Sequence, residues 1–224
     1  ITLDEMEKRL GSGTKATPAT GDNWAASGRG HKVQIASSNG ITVVLHGEPA
    51  YAGHSKNAIA DVLCKAYLEH GSDIIADIHG AFGLAILDLR DNSTLLAVDR
   101  AGIEPLCYST SGNLLMFASR ADSLSTHPHA SDDVDPQAIF NYLYFHCIPA
   151  PRSIYKQQHK LLPGQMVRFR DGRTDVSFYW QLEFHDENAR FEPLGRECFY
   201  LLEQAVNKAA GDINPGAFLS GGID

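Results

Sequence analysis

Residues 81–100 read AFGLAILDLRDNSTLLAVDR and predict two neighbouring strands joined by a tight turn. The segments 81–90 and 94–100 are almost continuously apolar, and the residues between them, Asp-Asn-Ser, are types that turns favour. A strand that is apolar on both faces is buried on both faces. This hairpin therefore predicts a sheet that is covered by helices or by a second sheet.

Turn-forming residues and the spacing of apolar residues also predict the hairpins and helices of the rest of the chain. Three further hairpins are predicted around turn-forming residues, at 32–47 across Asn39-Gly40, at 105–119 across Thr110–Asn113, and at 164–180 across Asp171-Gly172. Apolar residues at helical spacing predict helices at 56–70, 136–146 and 193–210. Gly71 is predicted to end the first helix, and Asp135 with Pro136 to begin the second.

Composition excludes several classes of function. The chain has 224 residues and a formal net charge of −8 without a basic stripe, which argues against nucleic-acid binding. It has no apolar run near the ~18 residues of a membrane helix and no secretory signal, so neither a membrane nor an extracellular location is expected. The four cysteines form no C-x-x-C pair and are predicted to be buried, reduced thiols of a cytoplasmic protein.

The histidines do not predict a metal site. None of the ten falls in a ligand spacing, and the closest pair, His127 and His129, is predicted to lie in a loop.

The segment AFLSGGID, residues 217–224, is the one stretch that suggests phosphate chemistry. It predicts a short apolar strand that runs into a Ser-Gly-Gly turn. If a helix followed, its first amides and the Ser220 hydroxyl could hold a phosphate. Taken alone, the same residues also fit an ordinary flexible turn.

Four segments, in this order, resemble the asparagine synthetase family: 79–88, 95–109, 153–180 and 217–224. The last is similar to the family's pyrophosphate loop, Ser-Gly-Gly-x-Asp-Ser. The second is similar to its segment Arg-Asp-x-x-Gly-x-Lys-Pro-Leu-Tyr-Tyr, with five matching positions: Asp99, Gly102, Pro105, Leu106 and Tyr108. In that family an N-terminal type 2 glutamine amidotransferase domain precedes a domain that uses ATP.

The resemblance implies a fold and a division into domains. Residues 1–185 are expected to form an α+β, four-layer αββα sandwich of the N-terminal-nucleophile class. Residues 186–224 are expected to be the first helix and strand of a truncated α/β domain that binds ATP. Four residues would form its incomplete pyrophosphate loop: Ser220, Gly221, Gly222 and Asp224. ATP and Mg²⁺ are then expected as cofactors of a longer parent protein, and no cofactor is expected for this chain alone.

The resemblance also implies a reaction, in which glutamine hydrolysis releases ammonia for an acyl-adenylate. This sequence departs from the family's glutaminase residues. The family's nucleophile is an N-terminal cysteine, but the chain begins Ile1-Thr2, and no catalytic residue is assigned. The family's Asn-Gly-Glu segment is here His46-Gly47-Glu48, and Ile59 stands where an acid should grip the glutamine amino group. The glutamine pocket is therefore expected to be degenerate.

These residues leave three hypotheses open. In the first, the parent protein is an ATP-dependent ligase that forms an amide from small-molecule substrates, using ammonia or a nitrogen within its own substrate. The chain alone would then be inactive. In the second, the domain is a non-catalytic module for structure or for homodimer formation. In the third, it is an active glutamine amidotransferase whose N-terminal cysteine lies outside these residues. The determinants of the acceptor substrate are expected beyond Asp224.

Overall fold

The computed structural model describes residues 19–21, 24–28, 32–55, 58–184, 190–210 and 215–216. The chain divides into two compact units, Ile1–Gln181 and Leu182–Asp224. The expected domain boundary at residues 185 and 186 stays a prediction.

The first unit contains the strands and three α-helices. Its strands are β1 (Ala19–Thr20), β2 (Ala25–Ala26), β3 (Val33–Ser38), β4 (Ile41–Tyr51), β5 (His54–Ser55), β6 (His79–Asp88), β7 (Ser93–Val98), β8 (Cys107–Ser111), β9 (Leu114–Ala118), β10 (His159–Lys160), β11 (Gln165–Arg170) and β12 (Arg173–Phe178). Its helices are α1 (Ile59–His70), a 3₁₀ helix (Gly71–Asp77), α2 (Ala121–Leu124) and α3 (Pro136–Phe145). In the second unit, α4 covers Phe191–Ala210.

A seven-stranded antiparallel sheet forms the centre of the first unit. Its strand order is β12-β11-β7-β6-β4-β3, with β5 paired to β4. The predicted hairpin turns are confirmed. Asn39 and Gly40 have φ angles of 50° and 79°, and Asp171 and Gly172 have φ angles of 49° and 73°. Positive φ at both central residues gives the turn a twist that matches the flanking strands.

Three apolar clusters arrange this unit as four layers. The first cluster lies between α1, the 3₁₀ helix and one face of the large sheet. The second joins the opposite face of that sheet to Tyr108, Leu115 and Phe117 of a small sheet with strand order β10-β8-β9. The third lies between the far face of the small sheet and α2. The order helix, sheet, sheet, helix confirms the predicted αββα sandwich.

The ends of α1 and α3 follow from local hydrogen bonds. The side-chain oxygen of Gln34 on β3 accepts from the N–H groups of Ile59 and Ala60, at 3.0 and 3.4 Å. It thereby satisfies two of the free donors at the beginning of α1. Gly71 ends α1 with φ 61°, as predicted. Asp135 is the predicted N-cap of α3, and its side chain accepts from the N–H of Gln137.

The cysteine prediction is correct for two residues and wrong for the other two. Cys64 and Cys107 are buried, whereas Cys147 and Cys198 are exposed, and all four are free thiols. Cys147 follows α3, a helix whose one buried residue is Ala138. Cys198 lies on α4, which buries none of its residues. Apolar neighbours in sequence do not bury a thiol when the helix that carries them lies exposed.

Within the described ranges, no helix is both long and apolar enough to cross a membrane.

Candidate functional site

The loop after β7 is built around the carboxylate of Asp99, a residue that is 2% exposed. Its Oδ1 accepts from the N–H groups of Ala101 and Ile103, at 3.0 and 3.1 Å. Its Oδ2 accepts from the N–H groups of Phe82 and Glu104, at 3.2 and 3.0 Å. Four backbone donors thus compensate one buried charge, and they hold the loop against β6.

The backbone of Asp99 extends the same connection. Its N–H donates to the carbonyl of Phe82 at 2.9 Å, and its carbonyl accepts from Gly102 and Gly164 at 3.0 Å each. Nearby, the Tyr179 hydroxyl donates to the carbonyl of Val98 at 2.7 Å. Burial, and secondarily the Asp99 charge, raise the pKa of Tyr179 to about 12, so this phenol stays a neutral donor across the physiological range.

His46 and Glu104 form the ionisable pair of the site. His46 on β4 lies opposite Gly83 on β6. Its Nδ1 is 3.1 Å from Oε2 of Glu104, an ion-pair distance at which the two groups are not aligned for a hydrogen bond. The Glu104 side chain is 15% exposed. The site therefore places a largely buried carboxylate directly beside an imidazole.

Gly83 lies next to the backbone of the loop that carries Glu104. A Cβ at Gly83 would lie 3.7 Å from each of the backbone carbonyl oxygens of Glu104 and Pro105. The carbonyls of the loop thus face the position where other residues would carry a side chain.

Gly47 and Glu48, the other two predicted pocket residues, have different surroundings. Gly47 has φ 110°, and a Cβ there would come within 2.3 Å of the carbonyl oxygen of Ala81. Glycine at this position is therefore a backbone requirement. Glu48 is 65% exposed in its side chain and forms a 3.3 Å ion pair with Lys32. Of the three predicted residues, the structure places His46 on the wall of the cavity described next.

A cavity of about 710 Å³ is lined by residues of both sheets. Much of its wall is apolar, with Val44, Leu106 and Phe117 among the lining residues, and His46 and Glu104 contribute polar groups to it. His127 also lines it. Burial, followed by the neighbouring His129, lowers the pKa of His127 and keeps this imidazole neutral at neutral pH. No cluster of three or more His, Cys, Asp or Glu side chains in the described part of the chain could hold a metal ion.

Ile59 lies away from this cavity. It is fully buried in the cluster between α1 and the large sheet, together with Ile41, Val43 and Leu45 of β4. Leu45, which packs with Ile59, and His46 are consecutive residues of β4, and consecutive residues of a strand face opposite sides. His46 and Ile59 therefore lie on opposite faces of the sheet. An apolar residue in the first turn of α1 packs into the helix-covered core, and the structure does not bring it to the predicted glutamine pocket.

The two buried cysteines are unsuited to nucleophilic catalysis. Burial raises the pKa of Cys64 and of Cys107 to about 11 each, which keeps both thiols protonated at neutral pH. Neither lines the cavity. The four residues of the predicted pyrophosphate loop, Ser220, Gly221, Gly222 and Asp224, lie outside the described residues, and their roles stay predictions.

The profile of the family described as "Glutamine amidotransferase domain" matches residues 48–180, more than half of the chain. This chain belongs to that family. The matched range contains Gly83, Asp99 and Glu104, and it begins two residues after His46.

Similar curated proteins are glutamine-hydrolysing asparagine synthetases. Asparagine synthetase 1 of Bacillus subtilis (strain 168) is 28% identical over 186 residues, which cover 81% of this chain and 29% of the relative. Asparagine synthetase 3 of the same strain is 26% identical over 176 residues, which cover 77% of this chain and 29% of that relative. The chain thus spans a third or less of the length of these relatives. Residues 48–180 form a glutamine amidotransferase domain of the kind that asparagine synthetase-like proteins contain.

Two solved structures are also similar. Glutamine phosphoribosylpyrophosphate amidotransferase from B. subtilis, complexed with ADP and GMP, has a TM-score of 0.40 at 12% identity, covering 67% of this chain and 31% of that one. A structure described as the allosteric regulatory enzyme of purine biosynthesis has a TM-score of 0.39 at 14% identity. The match covers 65% of this chain and 30% of that chain.

Glu104 is the site residue that the sequence analysis missed. A signal for it was present, because Glu104 stands where the family segment similar to 95–109 has lysine. This departure from the family segment replaces a positive side chain with a negative one. The contact with His46, which is 58 positions earlier (104 − 46) in the chain, could not have been read from the segment.

We predict that Asp99→Asn destabilises the first unit by about 3 kcal/mol, since an amide NH₂ would face backbone donors that the carboxylate now accepts. Urea unfolding followed by circular dichroism measures this change. Asp175→Asn is the matched control, because Asp175 is an exposed residue of β12, and its effect should stay within about 0.5 kcal/mol. Equal stability of the two variants would refute the structural role of Asp99.

Proposed function

We propose that this domain does not hydrolyse glutamine, and that its parent protein is an ATP-dependent, amide-forming ligase of the asparagine synthetase type. The parent would use ammonia, or it would form an amide within its own substrate. The observation that carries the proposal is the position of Glu104, whose carboxylate lies 3.1 Å from the imidazole at position 46.

The charge of this pair opposes amide hydrolysis. Attack on an amide develops negative charge on the carbonyl oxygen, and catalysts of this reaction aim hydrogen-bond donors at that oxygen. In the family that this sequence resembles, the residue at position 46 is an asparagine, which can donate. Here a neighbouring carboxylate would repel an oxyanion formed beside His46, and it would also repel the carboxylate of glutamine itself.

The thiols of the described chain support the same proposal. The cavity is lined by no cysteine among the described residues, and Cys64 and Cys107 are protonated at neutral pH. A cysteine nucleophile needs a thiolate or an adjacent base that can form one.

The remaining features of the parent protein are proposed from the family. It would act in the cytoplasm on small molecules, and it would bind ATP with Mg²⁺ through a loop that includes Ser220 to Asp224. The acceptor that receives the nitrogen is left open by the described residues.

A glutaminase assay tests the proposal. We predict no ammonia release from glutamine by the 224-residue chain and no mass increase after incubation with the glutamine analogue 6-diazo-5-oxonorleucine. Asparagine synthetase 1 of B. subtilis serves as the positive control for both the ammonia assay and the mass measurement. Saturable ammonia release together with a covalent adduct would refute the proposal.

The surface of α3 favours a second candidate function, association with a second copy of this chain. Six large apolar side chains of this helix are 45–70% exposed: Ile139, Phe140, Tyr142, Leu143, Tyr144 and Phe145. Exposed apolar surface of this density commonly marks an interface. The helix has no charged residue, so two copies could pack face to face about a two-fold axis without like-charge repulsion.

Sedimentation equilibrium tests this second candidate. We predict that the chain forms a dimer and that Leu143→Glu makes it monomeric, because each copy would bring an unpaired charge into the apolar interface. Gln137→Glu is the control, since it adds the same charge to an exposed polar position of the same helix and should leave the dimer intact. A monomeric wild-type chain, or two variants that behave alike, would refute association through α3.

A further inference from the structure

We propose that the open edge of β9 binds an extended, uncharged peptide segment of a partner protein, which adds a fourth strand to the small sheet. β9 is the last strand of that sheet, and among the described strands it pairs with β8 alone. The cavity between the two sheets runs along its other edge. This inference goes beyond the proposed function and does not depend on whether the domain hydrolyses glutamine.

The residues that line the cavity place it beside the edge of β9. A cavity that touched one face of the small sheet would be lined by alternate residues of the strand. All five residues of β9 line it instead. Two of them pack toward the large sheet, Leu115 and Phe117, and three pack toward α2, Leu114, Met116 and Ala118. No residue of β8, all of which is described, lines the cavity, so the cavity lies on the side of β9 away from β8.

The hydrogen-bond pattern shows which backbone groups of β9 face the cavity. Leu106, directly before β8, accepts at its carbonyl from the N–H of Leu161 at 3.0 Å, on the side away from β9. Successive residues of a strand direct their backbone groups to opposite neighbours, so Cys107 directs its groups to β9, where its partner is Ala118. By the same alternation, two residues of β9 direct their N–H and C=O groups to the cavity, Leu115 and Phe117.

The polar groups of this slot are uncharged donors and acceptors. A buried backbone group without a hydrogen bond costs free energy, and an added strand would pair the N–H and C=O groups of both residues. The hydroxyls of Ser27 and Ser123 also line the cavity, and both are buried without a partner in the described part of the chain. A peptide backbone offers N–H and C=O groups at the repeat that such an edge requires.

The charges of the cavity wall favour an uncharged occupant. The ionisable residues that line it are His46, Asp88, Glu104, Arg120 and His127. Asp88 is held by two hydrogen bonds from Arg90, and Arg120 donates two to Asp122. Glu104 lies next to His46, and burial lowers the pKa of His127. A charged side chain entering the slot would lose its hydration beside groups that already have partners.

The two walls of the slot predict the side chains of the peptide. On the side of the large sheet the lining is apolar and includes Val44, Ala85 and Leu87. On the side of α2 it includes Ser123 and His127. A strand alternates its side chains between these walls, so apolar residues would alternate with serine or threonine. The five residues of β9 extend over about 17 Å, which a peptide of five residues matches.

Nuclear magnetic resonance on the full 224-residue chain tests the site. The probe is the peptide acetyl-Val-Thr-Val-Thr-Val-amide, added to ¹⁵N-labelled protein. We expect saturable shifts of the amides of Leu115 and Phe117. In the chain without peptide, these two amides should exchange with deuterium faster than those of Leu114 and Met116, which bond to β8. The peptide should slow their exchange.

N-methylated peptides test the backbone pairing directly. In antiparallel pairing the valines lie opposite Leu115 and Phe117, so their N–H groups face β9. Methylation of the central valine nitrogen removes one of these donors, and we expect it to weaken binding about tenfold. Methylation of one threonine nitrogen, which faces away from β9, is the matched control and should weaken binding much less.

A pair of protein variants tests the same edge from the other side. Leu115→Pro removes the N–H that faces the cavity and leaves the pairing with β8 intact, because proline is tolerated where a strand lacks a neighbour. We expect it to weaken peptide binding about tenfold. Leu115→Ala also removes the leucine side chain but keeps the N–H, and it should bind more tightly than Leu115→Pro.

Three results would overturn this inference. They are the absence of saturable shifts, equal binding of the two N-methylated peptides, and strong protection of the Leu115 and Phe117 amides in the chain without peptide. The last would show that the edge is already paired. Glutamine hydrolysis by the wild-type chain would instead refute the proposed function, whatever the result with the peptide.

Discussion

The buried carboxylate of Asp99 is the constraint on which the site depends. It accepts four backbone hydrogen bonds, from Phe82 on β6 and from three residues of the loop that follows β7. A loop of this kind would otherwise leave its N–H groups unpaired at the edge of a cavity. Because Glu104 is one of the donors, the same carboxylate that stabilises the loop also fixes the position of the acid beside His46.

That placement gives an amidotransferase fold with an altered pocket chemistry. A cavity lies between the two sheets of the αββα sandwich, and glycines let the backbones of the loop and strands approach closely. Next to His46, however, lies the carboxylate of Glu104, whereas amide hydrolysis needs donors aimed at a developing oxyanion. We therefore infer that the fold was kept while the chemistry of the glutamine pocket was lost.

Local rules made much of the fold predictable from the sequence. The Asn39-Gly40 and Asp171-Gly172 turns, the Asp135 cap and the end of α1 at Gly71 all depend on neighbouring residues, and the structure confirms them. The site was less predictable, because its contacts join distant segments. The approach of Glu104 to His46, and the packing of Ile59 of α1 against the large sheet, depend on which face of β4 each residue meets.

The most direct test of this account is whether the pocket binds glutamine. Titrating ¹⁵N-labelled chain with L-glutamine, and following the amides of Gly83 and Glu104, measures this without requiring turnover. The account predicts no saturable shift of these amides up to the solubility limit of glutamine. Saturable shifts confined to the residues that line the cavity would show that the pocket still accepts glutamine, and they would contradict the account.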